Sequence, residues 1–231
     1  MRRDLVLYGS ILLSMILSFS VYSTSVLATD TLTTYAKVGL VEPNTPTDPN
    51  DGRDPYDPND PYPGDDNDSG NNETGSVGKL TLDYVSDLRF GSYQQRQGGL
   101  IATLQNTHAM VQVTDARGNG NGWTLQLKPD ELVGEQSGST IDDGYLYLGS
   151  LAINKSSDNA SASPVSKTLK IPLGTYENIV VAPVNTGLST WTIGFNQDSD
   201  SPTQLVLNDI SNAPADHYVG SLSWSLTNAP S

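Results

Sequence analysis

The sequence predicts an all-β fold, an immunoglobulin-like β-sandwich with a flexible Pro/Asp-rich linker after a short N-terminal strand. From Gly78 onward, short runs of alternating apolar and polar residues are separated by clusters of Gly, Asn, Asp and Pro. No window sustains a helical period over three turns. The 231 residues contain no cysteine, so a packed core, or a metal, must hold the fold. Thiolate metal sites, cysteine nucleophiles and redox motifs are excluded with it.

Residues 1–28 read as a signal peptide. Arg2 and Arg3 precede an apolar run from Leu5 to Phe19, and Val26-Leu27-Ala28 closes it as a small-residue cleavage site. The run is shorter than the roughly 20 residues that span a bilayer. The expectation is a secreted protein with no stable membrane insertion. Residues 29–41 form an N-terminal strand segment, because Thr33 to Val41 is rich in β-branched residues and partly alternating.

Residues 42–78 differ in composition. They hold seven of the chain's 14 prolines and ten acidic residues against the single basic Arg53. Proline donates nothing to a β-ladder and unopposed aspartates repel, so an extended, solvated linker is expected. Within it, Asp65-Asp66-Asn67-Asp68-Ser69-Gly70 resembles the start of a calcium loop, but the bidentate Glu due at loop position 12 is Ser76. It reads as acidic linker, and no metal or cofactor is expected.

Residues 79–231 make the β-domain. Strand-like runs cover Lys79 to Tyr84, Met110 to Thr114, Trp123 to Leu127, Tyr145 to Leu148 and Thr168 to Leu173. Others cover Ile179 to Ala182, Trp191 to Phe195, Gln204 to Leu207 and Tyr218 to Leu226. The chain's net charge of −14 argues against nucleic acid, which is bound by basic side chains that displace counterions. It argues equally against docking on anionic lipid.

Two tripeptides stand out, Trp123-Thr124-Leu125 and Trp224-Ser225-Leu226. Side chains at i and i+2 of a strand share a face, so Trp123, Leu125 and Leu127 point one way. Leu222, Trp224 and Leu226 do the same near the C-terminus. Such faces are either core or, because an indole has an apolar face and an N–H donor, a surface on which sugar rings stack.

The chain resembles the WxL-domain family of Gram-positive surface proteins. The stretch Tyr218-Val219-Gly220-Ser221-Leu222-Ser223-Trp224-Ser225-Leu226-Thr227-Asn228-Ala229-Pro230 follows the family pattern, with Ser223 in place of the usual Thr. Val111 to Gly118 running into Gly122-Trp123-Thr124-Leu125 resembles the proximal motif, as does Leu80 to Ser86 leading into Phe90-Gly91. The resemblance implies non-covalent attachment to the cell wall, with peptidoglycan as ligand and WxL-interacting surface proteins as partners. It leaves open whether host matrix proteins are ligands too. The motif residues it singles out, as ligand-binding or fold-defining, are Trp123, Leu125, Tyr218, Leu222, Trp224, Leu226 and Pro230.

Covalent sorting is not expected. Ile171-Pro172-Leu173-Gly174-Thr175 is a reversed, mid-domain imitation of a sorting signal, and a lipobox needs cysteine. Catalysis is not expected either. His108 and His217 are the two histidines, and no Gly-x-Ser-x-Gly elbow or His-Glu-x-x-His pair occurs. Asp142 and Asp143 read as a turn. The alternative function is a structural subunit that pairs a strand edge with another surface protein. A glycan site predicts an exposed Trp in a concave patch; a protein-binding subunit predicts buried Trp rings and a long unpaired edge.

Overall fold

A computed structural model describes residues 30–34, 52–195 and 200–228. The expected signal peptide, residues 35–51 and Pro230 lie outside the described residues. Along the chain the strands are β1 (Asp30–Thr34), β2 (Leu80–Val85), β3 (Leu100–Thr103), β4 (Met110–Asp115), β5 (Trp123–Pro129) and β6 (Leu132–Gly134). There follow β7 (Thr140–Ile141), β8 (Gly144–Tyr147), β9 (Ala152–Asn154), β10 (Val165–Ser166) and β11 (Lys170–Pro172). The last are β12 (Glu177–Ala182), β13 (Ser189–Gly194), β14 (Gln204–Leu207), β15 (Tyr218–Val219) and β16 (Leu222–Thr227).

These strands form antiparallel sheets in the orders β1-β16-β5-β12-β10, β2-β4-β13-β9, β11-β8-β14-β3 and β15-β6-β7. The first three share one apolar core. Trp123, Leu125 and Leu127 of β5 and Trp224 and Leu226 of β16 meet Val111 and Val113 of β4 and Trp191 and Ile193 of β13 there. Leu146 of β8 and Ile171 of β11 close the third side. The Phe195 and Trp224 rings lie 6.3 Å apart, tilted by 43°, which joins the first sheet to the second. This is sandwich packing of the all-β kind that the alternation predicts.

Boundaries differ in two places. The expected N-terminal strand falls earlier, with β1 at Asp30–Thr34 pairing antiparallel to β16. The run Tyr218 to Leu226 divides into β15 and β16. Gly220 and Ser221 separate them, and a Cβ at Gly220 would come within 2.7 Å of Leu132.

The acidic segment differs more. Residues 52–78 lie along the β-domain, where the sequence reads an extended, solvated linker. The Arg53 amide donates to Gln112 Oε1 at 2.8 Å, and Asn154 Nδ2 donates to the Pro55 carbonyl at 2.6 Å. Asp65 is buried, accepting from the amides of Asn67 (2.9 Å), Thr107 (2.8 Å) and His108 (2.7 Å). Asp68 is buried as well, accepting from the Asp87 amide, Asn71 Nδ2 and the Tyr84 hydroxyl. Backbone amides thus hold the Asp65 carboxylate, and one amide with two side-chain donors holds that of Asp68. Burial, ahead of its hydrogen bonds, pushes the Asp68 carboxyl above its usual range. The Thr74 amide donates to the Asp83 carbonyl at 2.8 Å, so the segment also covers part of the outer edge of β2. Covering an edge removes a template for unwanted pairing.

Candidate functional site

The register places the two Trp-x-Leu tripeptides side by side. β16 pairs antiparallel with β5, setting Trp224 opposite Leu127 and Leu226 opposite Leu125. Their alternation sends all five apolar side chains from Trp123, Leu125, Leu127, Trp224 and Leu226 inward. Thr124, Ser223 and Ser225 point the other way and are buried too.

Three indoles fill the core, and each has no exposed surface: Trp123, Trp191 and Trp224 are 0% accessible. Burying about 150–250 Å² per ring contributes roughly 4–6 kcal/mol each before entropy. Trp123 Nε1 donates to the Gly187 carbonyl at 2.9 Å, and Trp191 Nε1 to that of Leu188 at 2.9 Å. Gly187 adopts φ 71°, and a Cβ there would stand 2.7 Å from Trp123 Nε1. Glycine therefore lets the chain close over the indole. Trp224 Nε1 is buried with no hydrogen-bond partner.

The loop entering β5 is fixed by an ion pair between buried Asp115 and half-buried Arg117. Arg117 donates from Nε and from one terminal nitrogen to Asp115 at 2.9 and 2.8 Å, and that nitrogen also reaches the Gly122 carbonyl at 2.6 Å. Gly122 has φ 75°, and a Cβ would press to 2.2 Å from the Ala182 carbonyl. The stretch from Val111 to Leu125 is thus one unit: a strand, an Arg-clamped turn and the Trp strand.

Of the motif residues, Trp123, Leu125, Leu222, Trp224 and Leu226 come together on the main core. Tyr218 stands apart on β15, beside Ile141, Leu207 and Ile210, with its hydroxyl donating to the Pro214 carbonyl at 2.9 Å. Neither motif Trp lines an exposed concave patch.

The histidines do not converge on a catalytic cluster. His108 Nδ1 bonds the Thr107 hydroxyl at 2.9 Å, while His217 meets Glu135 at 3.1 Å on the surface. Asp142, Asp143 and Asp209 line a cleft of about 130 Å³. There Asp143 accepts from Asn208 Nδ2 at 2.6 Å, and the Ser211 hydroxyl and amide hold the Asp209 carboxyl below its usual range. A general acid needs the opposite shift. Among the described residues no group of three His, Asp or Glu could hold a metal ion, and no helix is long and apolar enough to cross a membrane.

The strand pattern alone does not reveal a second surface, the outer face of the β11-β8-β14-β3 sheet. The register aligns Ile101, Val206, Tyr145 and Pro172 in one row, and Thr103, Gln204, Tyr147 and Lys170 in the next. Ile101 is 59% exposed, and the rest of both rows is exposed or half-buried. The Tyr-x-Tyr spacing of β8 is its one trace in the sequence.

Paired Trp-x-Leu strands inside a disulfide-free sandwich define a class of β-domain built around its motif, not one displaying it. A family model described as WxL domain, surface cell wall-binding, matches residues 27–230. The chain belongs to the WxL family, a family of cell wall-binding and not of enzymatic domains. Neither the curated proteins nor the solved structures give a match.

Proposed function

We propose that the exported chain attaches non-covalently to the cell wall by binding peptidoglycan, and that its Trp-x-Leu motifs define the fold that presents the binding surface. The observation that carries wall binding is the family match over residues 27–230; complete burial of both motif indoles supports a fold-defining role for the motifs and is, by itself, the outcome expected of a protein-binding subunit. A ring with no accessible face has none to offer a sugar.

The test is sedimentation of residues 29–231 with insoluble peptidoglycan stripped of teichoic acids and proteins. Binding is expected to saturate, and a muramidase that dissolves the pellet should release the protein. Protein that stays in the supernatant at every peptidoglycan concentration would overturn the proposal.

A second reading has its own observation. The first sheet ends in β1, five residues long, with no strand on its outer side among the described residues. Strand addition there would suit a WxL-interacting surface protein or a host matrix protein. Other edges are shorter or, like β2, partly covered. Loss of co-purification when Thr31 and Thr33 are replaced by proline, with peptidoglycan sedimentation intact, would favour it.

A further inference from the structure

The outer face of the β11-β8-β14-β3 sheet has chemistry that sets it apart from the rest of the molecule. Its four strands contain no Asp or Glu, although the chain carries 26. Tyr145 and Tyr147, two residues apart on β8, stand on the same side, about 7 Å from each other along the strand. Val206 and Ile101 continue the Tyr145 row at spacings of about 4.8 Å per strand, and Gln204 sets a side-chain amide beside Tyr147. The face is therefore partly aromatic, with neutral hydrogen-bonding groups among its side chains.

Cations mark its two ends. Lys170 Nζ lies 4.0 Å from the Tyr145 ring centroid. At the other end Arg96, with Ile101 and Val206, lines an open cleft of about 410 Å³. Asp143, the nearest acid in sequence to β8, is occupied by the Asn208 amide. At the open edge the Tyr93 hydroxyl accepts from the Thr103 amide at 3.0 Å, so a third aromatic ring, 46% exposed, blocks strand addition there. That edge is closed to a protein strand, while the face stays open.

We infer that this face is the wall-contact surface, and that its occupant is a glycan strand of peptidoglycan lying across Tyr145 and Tyr147. Apolar C–H faces of the sugars rest on the Tyr147 ring, beside a Tyr145 ring that already carries Lys170 Nζ, with Gln204 bonding hydroxyl or N-acetyl groups. Lys170 and Arg96 meet carboxylates of the stem peptides attached to such a strand, charges that an acidic surface would repel. The inference rests on the peptidoglycan reading proposed above and gives it a location.

The experiment compares wild type with Tyr147→Ala, Lys170→Glu and, as a control outside this sheet, Tyr176→Ala in sedimentation with stripped peptidoglycan. Thermal melts are run alongside, and a soluble N-acetylglucosamine tetramer serves as competitor. Tyr147→Ala and Lys170→Glu should each weaken binding about tenfold, the scale of one lost aromatic or ionic contact. Tyr176→Ala should bind as wild type, and the tetramer should compete. Lys170 is exposed, so its variant carries the test even where Tyr147→Ala melts early. If folded Lys170→Glu and Tyr147→Ala both sediment like wild type, wall binding stands and this face is not its site. If the variants weaken binding but the tetramer does not compete, the occupant is not the glycan. If wild type itself fails to sediment, the underlying reading falls and this inference with it.

Discussion

At the residue scale, the three tryptophans share burial but not bonding. Trp123 Nε1 satisfies the buried Gly187 carbonyl, whereas Trp224 Nε1 satisfies nothing. Trp123→Phe strands an acceptor, while Trp224→Phe removes an orphaned donor; a buried unsatisfied group costs about 1–3 kcal/mol. In urea unfolding, Trp123→Phe should therefore be the more destabilising by at least about 1 kcal/mol. Either Trp→Ala change should cost about 3–5 kcal/mol, so lost wall binding in those variants must first be read as unfolding. Equal costs for the two Phe variants would mean that the Gly187 bond adds nothing. Asp216 gives a second case. The Ser137 hydroxyl and amide, with the amides of His217 and Gln136, hold its carboxyl down to about 2. Its unfolded value is about 3.9. Because the folded value is depressed, its contribution is present above about pH 4 and is lost as pH falls toward about 2. Melting temperature followed across that window should fall more steeply in wild type than in Asp216→Asn, and parallel curves would contradict it.

At the element scale, Asp65 links the acidic segment to the turn before β4 through two backbone amides, those of Thr107 and His108, and accepts a third from Asn67 of its own segment. Asp65→Ala should cost about 1–3 kcal/mol and speed hydrogen exchange at Thr107 and His108, two of the amides released. Unchanged exchange there would show that the segment is held by other contacts. This docking was not legible in the sequence. Pro and Asp in bulk read as solvated chain, and nothing local says that a particular carboxylate will find an amide 40 residues away. Strands with a sustained period of two were legible: β14 falls where Gln204 to Leu207 alternates, and β4, β5 and β13 lie within a residue or two of their runs. The short β3, β6, β7, β9 and β10 have two to four residues and too few alternations to register. The motif core was visible as two faces of large apolar residues. The tyrosine face was not, because it exists only once β8, β11 and β14 are in register with β3, from opposite ends of the domain.

At the scale of the whole molecule, charge should govern which walls are bound. With a net charge of −14, the chain is repelled by anionic wall polymers. Walls retaining teichoic acid should sediment less protein than stripped peptidoglycan at low ionic strength. The difference should close in about 1 M salt, where the screening length falls to about 3 Å. A difference that persists there would point to steric shielding instead. The sheet order has a consequence of another kind. Among the described strands, the last, β16, sits between the first, β1, and β5. During synthesis, which runs from the N-terminus, that sheet lacks its inner member, and β1 lacks its β16 neighbour until Leu222 to Thr227 has been made. Pairing across so long a stretch of chain is slow to form. The core around Trp123 can therefore close only once Trp224 and Leu226 have been made, close to the end of synthesis.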